Sequence, residues 1–275
     1  MSEPKSRRQM KTKEGVCNLC LNYFPSLTDD HVPPKGSIKP RKVGLKKLSN
    51  FVNPVDPRIK DKISQNGVKF PTLCNQCNNR RLGKELDPAL NDFSRRIAHI
   101  MGNAERLTFP SKVPISCKPQ QIVRSIFGHL LASELREDMT SAPAAGPKRD
   151  LMRRYVMDPI LDLPQEFNVF FWPFCADYQV MLSGTAMLKN NQIIKGDFLK
   201  YIPLAFWITY EAPISILSNM RDYELLVRAS SFNEEREIFV KTGFQGSIRP
   251  NWPEFPGDDE ILGINDRNSV VATPF

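Results

Sequence analysis

Long apolar runs are missing from this 275-residue chain. Stretches such as IPLAFWITY at 202–210 are among its most extended, and they fall well short of the ~18 residues that cross a bilayer. The N-terminal MSEPKSRRQMKTKEG lacks the apolar segment of a secretory signal. A soluble, cytoplasmic protein is therefore expected. No internal repeat and no low-complexity block is present. With 41% apolar and 25% charged residues the composition is that of a folded chain, which excludes wholesale disorder. The length suits one large domain or two smaller ones.

Acidic residues are scarce in the first third. Residues 1–100 carry 20 Lys and Arg against 9 Asp and Glu, whereas residues 101–275 carry 18 against 21. The whole excess charge of +8 therefore lies at the N-terminal end. A basic surface of that extent attracts polyanions, and the phosphate backbone of nucleic acid is the partner it predicts. A short basic stretch such as SRRQMKTK needs no such partner and reads as a solvated tail.

Six cysteines are present, and four form two C-x2-C pairs: Cys17 and Cys20 in CNLC, Cys74 and Cys77 in CNQC. Without a secretory context, a disulfide framework is not expected. Two such pairs supply the four thiolates of a tetrahedral zinc site, each pair presented by a tight turn. The 53 residues between them imply an insertion between two knuckles. Cys117 and Cys175 stand alone and read as structural.

Along the chain, residues 1–14 form a basic tail. GVCNLCLNYFPSL at 15–27 reads as a knuckle followed by a short strand. DDHVPPKG at 29–36 is extended or turning, because residues preceding proline avoid the helical region. Residues 37–67 form a basic insertion carrying Lys39, Arg41, Lys42, Lys46, Lys47, Arg58, Lys60 and Lys62. VKFPTLC at 68–74 predicts a strand entering the second knuckle. From Asn78 to Met101, Leu82, Leu86, Leu90, Phe93, Ile97 and Met101 repeat at helical spacing. Pro88 opens a new helix there, with Asp87 as its cap. Residues 107–121 hold three prolines and read as a linker. A helix is predicted over 120–135. Strands are predicted over 167–174, 178–188, 204–210 and 236–244. The tail from about residue 245 reads as irregular.

The order CNLC, DDH, CNQCNN resembles the HNH (ββα-metal) endonucleases in their zinc-knuckle form. CNQCNNRRLGKELDPAL is similar to a subfamily in which the second knuckle, an Asn and an L-G step run into a helix. The resemblance covers about residues 15–95. It implies a zinc-stapled ββα-metal nuclease module over 15–106; the helix and strand patterns beyond it add a mixed helix and antiparallel-sheet domain over 107–275 of open role, making an α+β protein. It also implies metal-dependent hydrolysis of DNA, leaving 5′-phosphate and 3′-hydroxyl ends. His31 is then the general base, its ordinary pKa near ~6.5 suiting proton transfer at neutral pH. Asp30 and Asn78 are then oxygen ligands to a catalytic Mg2+ or Mn2+, with Asp29 able to share that role with Asp30. The zinc is a structural staple.

Lys35, Arg80, Arg81 and Lys84 flank these positions as candidate phosphate contacts. The middle Asn of the family has no clear counterpart. The usual spacing lands on Lys69, leaving Asn50, Asn53 and Asn66 as candidates. His99 and His129 read as surface or satisfied core residues. Two other readings stand beside the nuclease. One is a zinc-dependent nucleic-acid-binding module without catalysis. The other is a nuclease output regulated by the C-terminal part, as in defence or toxin systems. Nothing in the sequence demands an oligomer.

Overall fold

The structure is a computed structural model that describes residues 13–54, 61–103, 110–143, 145–213, 220–242 and 248–275. Most of the basic tail, Arg58 and Lys60 of the insertion, and the expected boundary at 106/107 lie outside them. The fold is mixed α and β, with antiparallel sheets. Among the described residues no helix is long and apolar enough to cross a membrane.

The first knuckle sits between two short paired strands, β1 (Gly15–Val16) and β2 (Tyr23–Phe24). Strand β3 (Thr28–His31) comes next. The chain then runs through the insertion, whose elements are β4 (Val43–Lys47), helix α1 (Leu48–Val52) and β5 (Lys62–Ser64). Strand β6 (Lys69–Leu73) returns antiparallel to β3 with His31 opposite Lys69 and Asp30 opposite Phe70. The second knuckle then leads into a wide helix of π type, Gln76–Leu86, which continues as α2 (Asp87–Asn103). The i→i−5 bond from the Asp87 backbone N–H to the Leu82 carbonyl marks that wider winding. Cys77, Leu82 and Leu86 are buried along one side of it. Leu90, Phe93 and Ile97 continue the stripe, each fully buried, as the spacing predicts. Pro88 lies at the junction where the π-type helix passes into α2, whose first residue, Asp87, is itself helical.

Helix α3 (Pro119–Ala132) is buried on all sides, polar residues included. A helix enclosed all round is a central element, not a surface one. It packs against α2, the π-type helix, β3, β6 and α4 (Pro147–Met157). Gly128 permits the approach to the π-type helix, because a Cβ there would stand 2.4 Å from Leu82 Cδ2.

The C-terminal half supplies β8 (Phe167–Pro173), β9 (Gln179–Lys189), β10 (Gln192–Tyr201), β11 (Leu204–Tyr210) and β14 (Ser269–Pro274). With the insertion strands they form one large sheet in the order β5-β4-β14-β9-β10-β11-β8. Strand β13 (Glu260–Gly263) joins beside β9. A separate pair joins β7 (Lys112–Cys117) to β12 (Arg236–Lys241). Alternating residues of the large sheet serve two cores. Val169, Phe171, Phe206 and Ile208 belong to the core shared with α3 and the knuckles. Phe170, Trp172, Phe198 and Trp207 form an aromatic core on the other face, closed by Trp252. Covered on both faces, β11 is apolar or neutral throughout and shows no alternation, which is why LAFWITY is legible as a strand.

Three sequence expectations change. The basic insertion is not a separate excursion: β4 pairs with β14, near the C-terminal end of the chain, and extends the large sheet. The stretch taken as a linker contains β7. The tail taken as irregular contributes β13, and β14 sits in the middle of the sheet between β4 and β9.

Polar contacts also bind the N-terminal module to the rest of the chain. Asn18, fully buried in the first knuckle, donates to the carbonyls of Leu131 (2.8 Å) and Glu134 (2.9 Å) at the end of α3. Thr72 Oγ1 donates to the Ala132 carbonyl at 2.6 Å. These side chains satisfy carbonyls that a helix end leaves without partners. Arg136 donates to the Val16 carbonyl and Arg153 to the Asn18 carbonyl. A fragment of residues 1–106 loses all of these partners and exposes the Leu82–Ile97 stripe. It is expected to show no cooperative thermal unfolding by circular dichroism. A sharp unfolding transition in that fragment would contradict a single folded unit.

Candidate metal centre and imidazole site

The two knuckles converge. The Sγ atoms of Cys17, Cys20, Cys74 and Cys77 all lie within 4.8 Å of one another. Cys20 and Cys74 are 3.9 Å apart. A tetrahedron with metal–sulfur bonds of ~2.3 Å places its sulfurs about 3.8 Å apart. Backbone N–H groups of the second turn point at sulfur, Cys74 N–H to Cys17 (3.3 Å) and Cys77 N–H to Cys74 (3.4 Å). The Cys77 thiol and the surrounding backbone lower Cys17 to about 5. Burial raises Cys20 to about 11. The hydrogen bond to Cys17, with burial, raises Cys77. Four sulfurs this close cannot all be thiolates unless a cation neutralises them. The donor set therefore fits a metal ion such as zinc.

From the centre, β3 and the π-type helix carry the remaining expected site residues. Asn78 lies in the first turn of the helix, and its Nδ2 donates to Thr28 Oγ1 (2.9 Å) and to the Asp29 carbonyl (3.1 Å). The amide thus pins the helix to β3. Among the described residues nothing donates to its Oδ1.

Strand alternation then separates the two acids beside His31. Asp29 and His31 are on the outer face of β3, while Asp30 is buried at 2% exposure. The Asp30 carboxylate accepts from His129 Nδ1 at 2.8 Å. His129 Nε2 lies 3.0 Å from Asp87 Oδ1, which also accepts from Ser125 Oγ at 2.7 Å. Burial opposes a charge on His129, but Asp30 and Asp87 on its two sides outweigh it and raise the imidazole to about 10. Burial raises Asp30 against the pull of that imidazolium. The geometry favours an imidazolium shared by two carboxylates. Asp30 as a ligand to a catalytic Mg2+ or Mn2+ does not fit this arrangement, because its carboxylate is already bonded inside the core.

His31 is half-buried, and its Nε2, itself shielded from solvent, has no hydrogen-bond partner. Burial, and then the charges of Lys35 and Lys69, lower it to about 4. The Asn66 backbone and the Asp29 carboxylate act in the opposite sense. Of the three candidates for the middle Asn, Asn66 is the one beside the ring, through its backbone. Gly67, at φ +69°, makes the turn that comes after it, and its N–H bonds the Arg41 carbonyl at 2.8 Å. A Cβ there would lie 3.4 Å from Pro40 and 3.9 Å from His31 Cδ2, so the insertion lies against the imidazole.

The candidate phosphate contacts divide. Lys35 and Lys84 are exposed, and Arg80 is exposed with a 3.6 Å contact to Glu85. Arg81 corrects the expectation. Its guanidinium is 12% exposed, donates twice to the Val156 carbonyl at the end of α4, and pairs with Glu85 at 2.7 Å. It is a structural clamp. The sequence left His129 as a surface or a satisfied core residue; it is fully buried, and its partners were missed. Its signal was a lone imidazole inside the apolar run SIFGHLLA, which requires polar company when buried. A cavity of about 770 Å3 bounded by Lys47, Glu134, Arg136 and Arg267 lies elsewhere and includes none of these residues. The chain matches no family model, no curated protein and no solved structure.

Two outcomes are expected. Metal analysis of the purified chain should find about one zinc, and Cys74→Ser should lose it together with cooperative folding, since such sites couple metal to folding. A metal-free chain of unchanged stability would remove the staple. Second, His129→Leu leaves two buried carboxylates without their shared cation, at a cost of ~3–5 kcal/mol. His129 titrates at about 10 in the fold and near ~6.5 unfolded. Its stabilisation is therefore complete below pH ~6.5 and lost as pH rises through about 10. Thermal midpoints across pH 6–10 should fall in the native chain and much less in the variant.

Proposed function

We propose that the chain is a nuclease of the ββα type that hydrolyses phosphodiester bonds in DNA, with His31 as general base and the four-cysteine centre as a structural zinc staple. The observation that carries the reading is the state of His31. Its imidazole is neutral at physiological pH and its Nε2 lone pair is committed to no protein group; that nitrogen is covered in this structure, so taking a water proton requires the ring to turn outward. It stands on a strand fixed to the π-type helix by the cysteine cluster and by Asn78. Its neighbours Lys35 and Lys69 attract the phosphodiester anion.

In the hydrolytic step, water attacks phosphorus while His31 Nε2 takes its proton. The bond from phosphorus to O3′ breaks and O3′ takes a proton from solvent, giving a 5′-phosphate and a 3′-hydroxyl. The exposed setting of Asp29, Lys35 and Lys84 suits a polymer that lies across a surface; a small substrate needs an enclosing cleft. Asn78 Oδ1 and Asp29 are oxygen donors on the outer side of the strand. Asp30, held by His129, takes no part in the step.

One observation favours the second reading, a zinc-dependent nucleic-acid-binding module without catalysis. It is the same burial of Asp30, which removes from the outer face the carboxylate that the resemblance assigns to a catalytic cation.

Incubation of plasmid DNA with the purified chain, with Mg2+ or Mn2+ and with EDTA, separates the two. Cleavage by the native chain and a ~10²–10⁴-fold slower rate for His31→Ala, with binding retained in a gel-shift assay, is the expected result. Its acidic limb should lie near pH 4, the value to which His31 is lowered, well below that of an unperturbed histidine. Equal cleavage by His31→Ala rejects the base. Binding without cleavage under every cation establishes the module.

A further inference from the structure

We propose that Lys69, directly opposite His31 across the β3–β6 pair, is a substrate-binding residue that holds the non-bridging oxygens of the scissile phosphate beside the imidazole. The inference rests on the nuclease reading and adds to it a residue that the resemblance does not assign.

The register places His31 against Lys69. Residues directly opposite in an antiparallel pair point to the same face, with Cβ atoms about 4.5–5.5 Å apart. The ammonium therefore shares the outer face with the imidazole. Lys35 is near enough for its charge to act on the ring. It occupies the corner of the turn Pro34–Ser37, closed by the Ser37 N–H to the Pro34 carbonyl at 2.9 Å. Ser37 Oγ fixes that turn to Asn91 Oδ1 on α2 at 2.8 Å.

Neither lysine has an acidic partner among the described residues. The acid on that face, Asp29, is paired with Lys13 at 2.8 Å. From Val32 to Pro54 the sequence contains no acidic residue at all. Folding gains nothing from two ammonium groups around a half-buried imidazole, since like charges brought together on a sheet are destabilising. Both lysines also contribute, after burial, to keeping the imidazole neutral. An anion resolves each of these features. It neutralises the two cations, and a water held by its oxygens can donate to the unpartnered Nε2. A phosphodiester has the charge and the two non-bridging oxygens that this three-sided site requires.

The test is a titration of the full chain with inorganic phosphate at pH 7 and constant ionic strength, read on the His31 ring signals by NMR. The native chain and Lys69→Arg should show saturable shifts. Lys69→Met, which keeps the aliphatic stem, should bind phosphate at least ~10-fold more weakly with an unchanged circular dichroism spectrum. Equal phosphate affinity in Lys69→Met, or no response of His31 in the native chain, overturns the inference. DNA cleavage measured on the same samples judges the nuclease reading separately. Cleavage with a phosphate response indifferent to Lys69 defeats only the inference. A response that depends on Lys69 in a chain that cleaves nothing leaves the phosphate site standing and defeats only the nuclease.

Discussion

The arrangement turns on one buried imidazole. His129, from the C-terminal half of α3, bonds Asp30 on β3 with one ring nitrogen and Asp87 at the start of α2 with the other. Three segments far apart in sequence meet there, and all three side chains are buried. Such a network is weak evidence of stability in itself, because desolvating three ionisable groups offsets most of their attraction. Its effect is specification. Any packing of α3 that misplaces His129 strands two carboxylates in an apolar core, so the strand carrying His31 has one acceptable position.

The cysteine centre acts on the same strand from its other end. Four sulfurs draw the two knuckles together, and the knuckle turns deliver β3 and the π-type helix side by side. Asn78 closes the gap between them with two bonds from its amide nitrogen. Asn18 and Thr72 then bind the knuckles to the last carbonyls of α3. The four-cysteine cluster, the strand pair and α3 are therefore tied together as one support. The outward side of β3 is left free to carry reactive groups whose positions do not depend on a loop.

That outward side has an unusual electrical character. The acid that the strand could have offered, Asp30, is turned inward, and Asp29 is engaged by Lys13. Burial of the ring, and after it the cations that remain around His31, keep the imidazole neutral well into the acidic range. The insertion between the knuckles carries further lysines on β4 and β5 at the edge of the large sheet, where Lys46 pairs with Asp61 and Lys47 with Asp266. The two halves of the chain expected to be separate domains thus share a sheet and a core.

Much of this was legible in the amino-acid order. The paired C-x2-C turns announced a four-sulfur centre. The stripe from Leu82 to Ile97 announced the buried helix face, and the runs around Phe170 and Trp207 announced strands. Each of these is a local pattern: a spacing, a period, a run of β-formers. The sequence likewise made His31 conspicuous through its neighbours. Only the folded chain decided that β14 would lie between β4 and β9, that Arg81 would clamp α4, and that Asp30 would face His129. Those outcomes depend on which distant surface covers which face of an element. A strand's alternation shows that two residues part company, but not which of them meets the core, since the core is supplied by residues far along the chain.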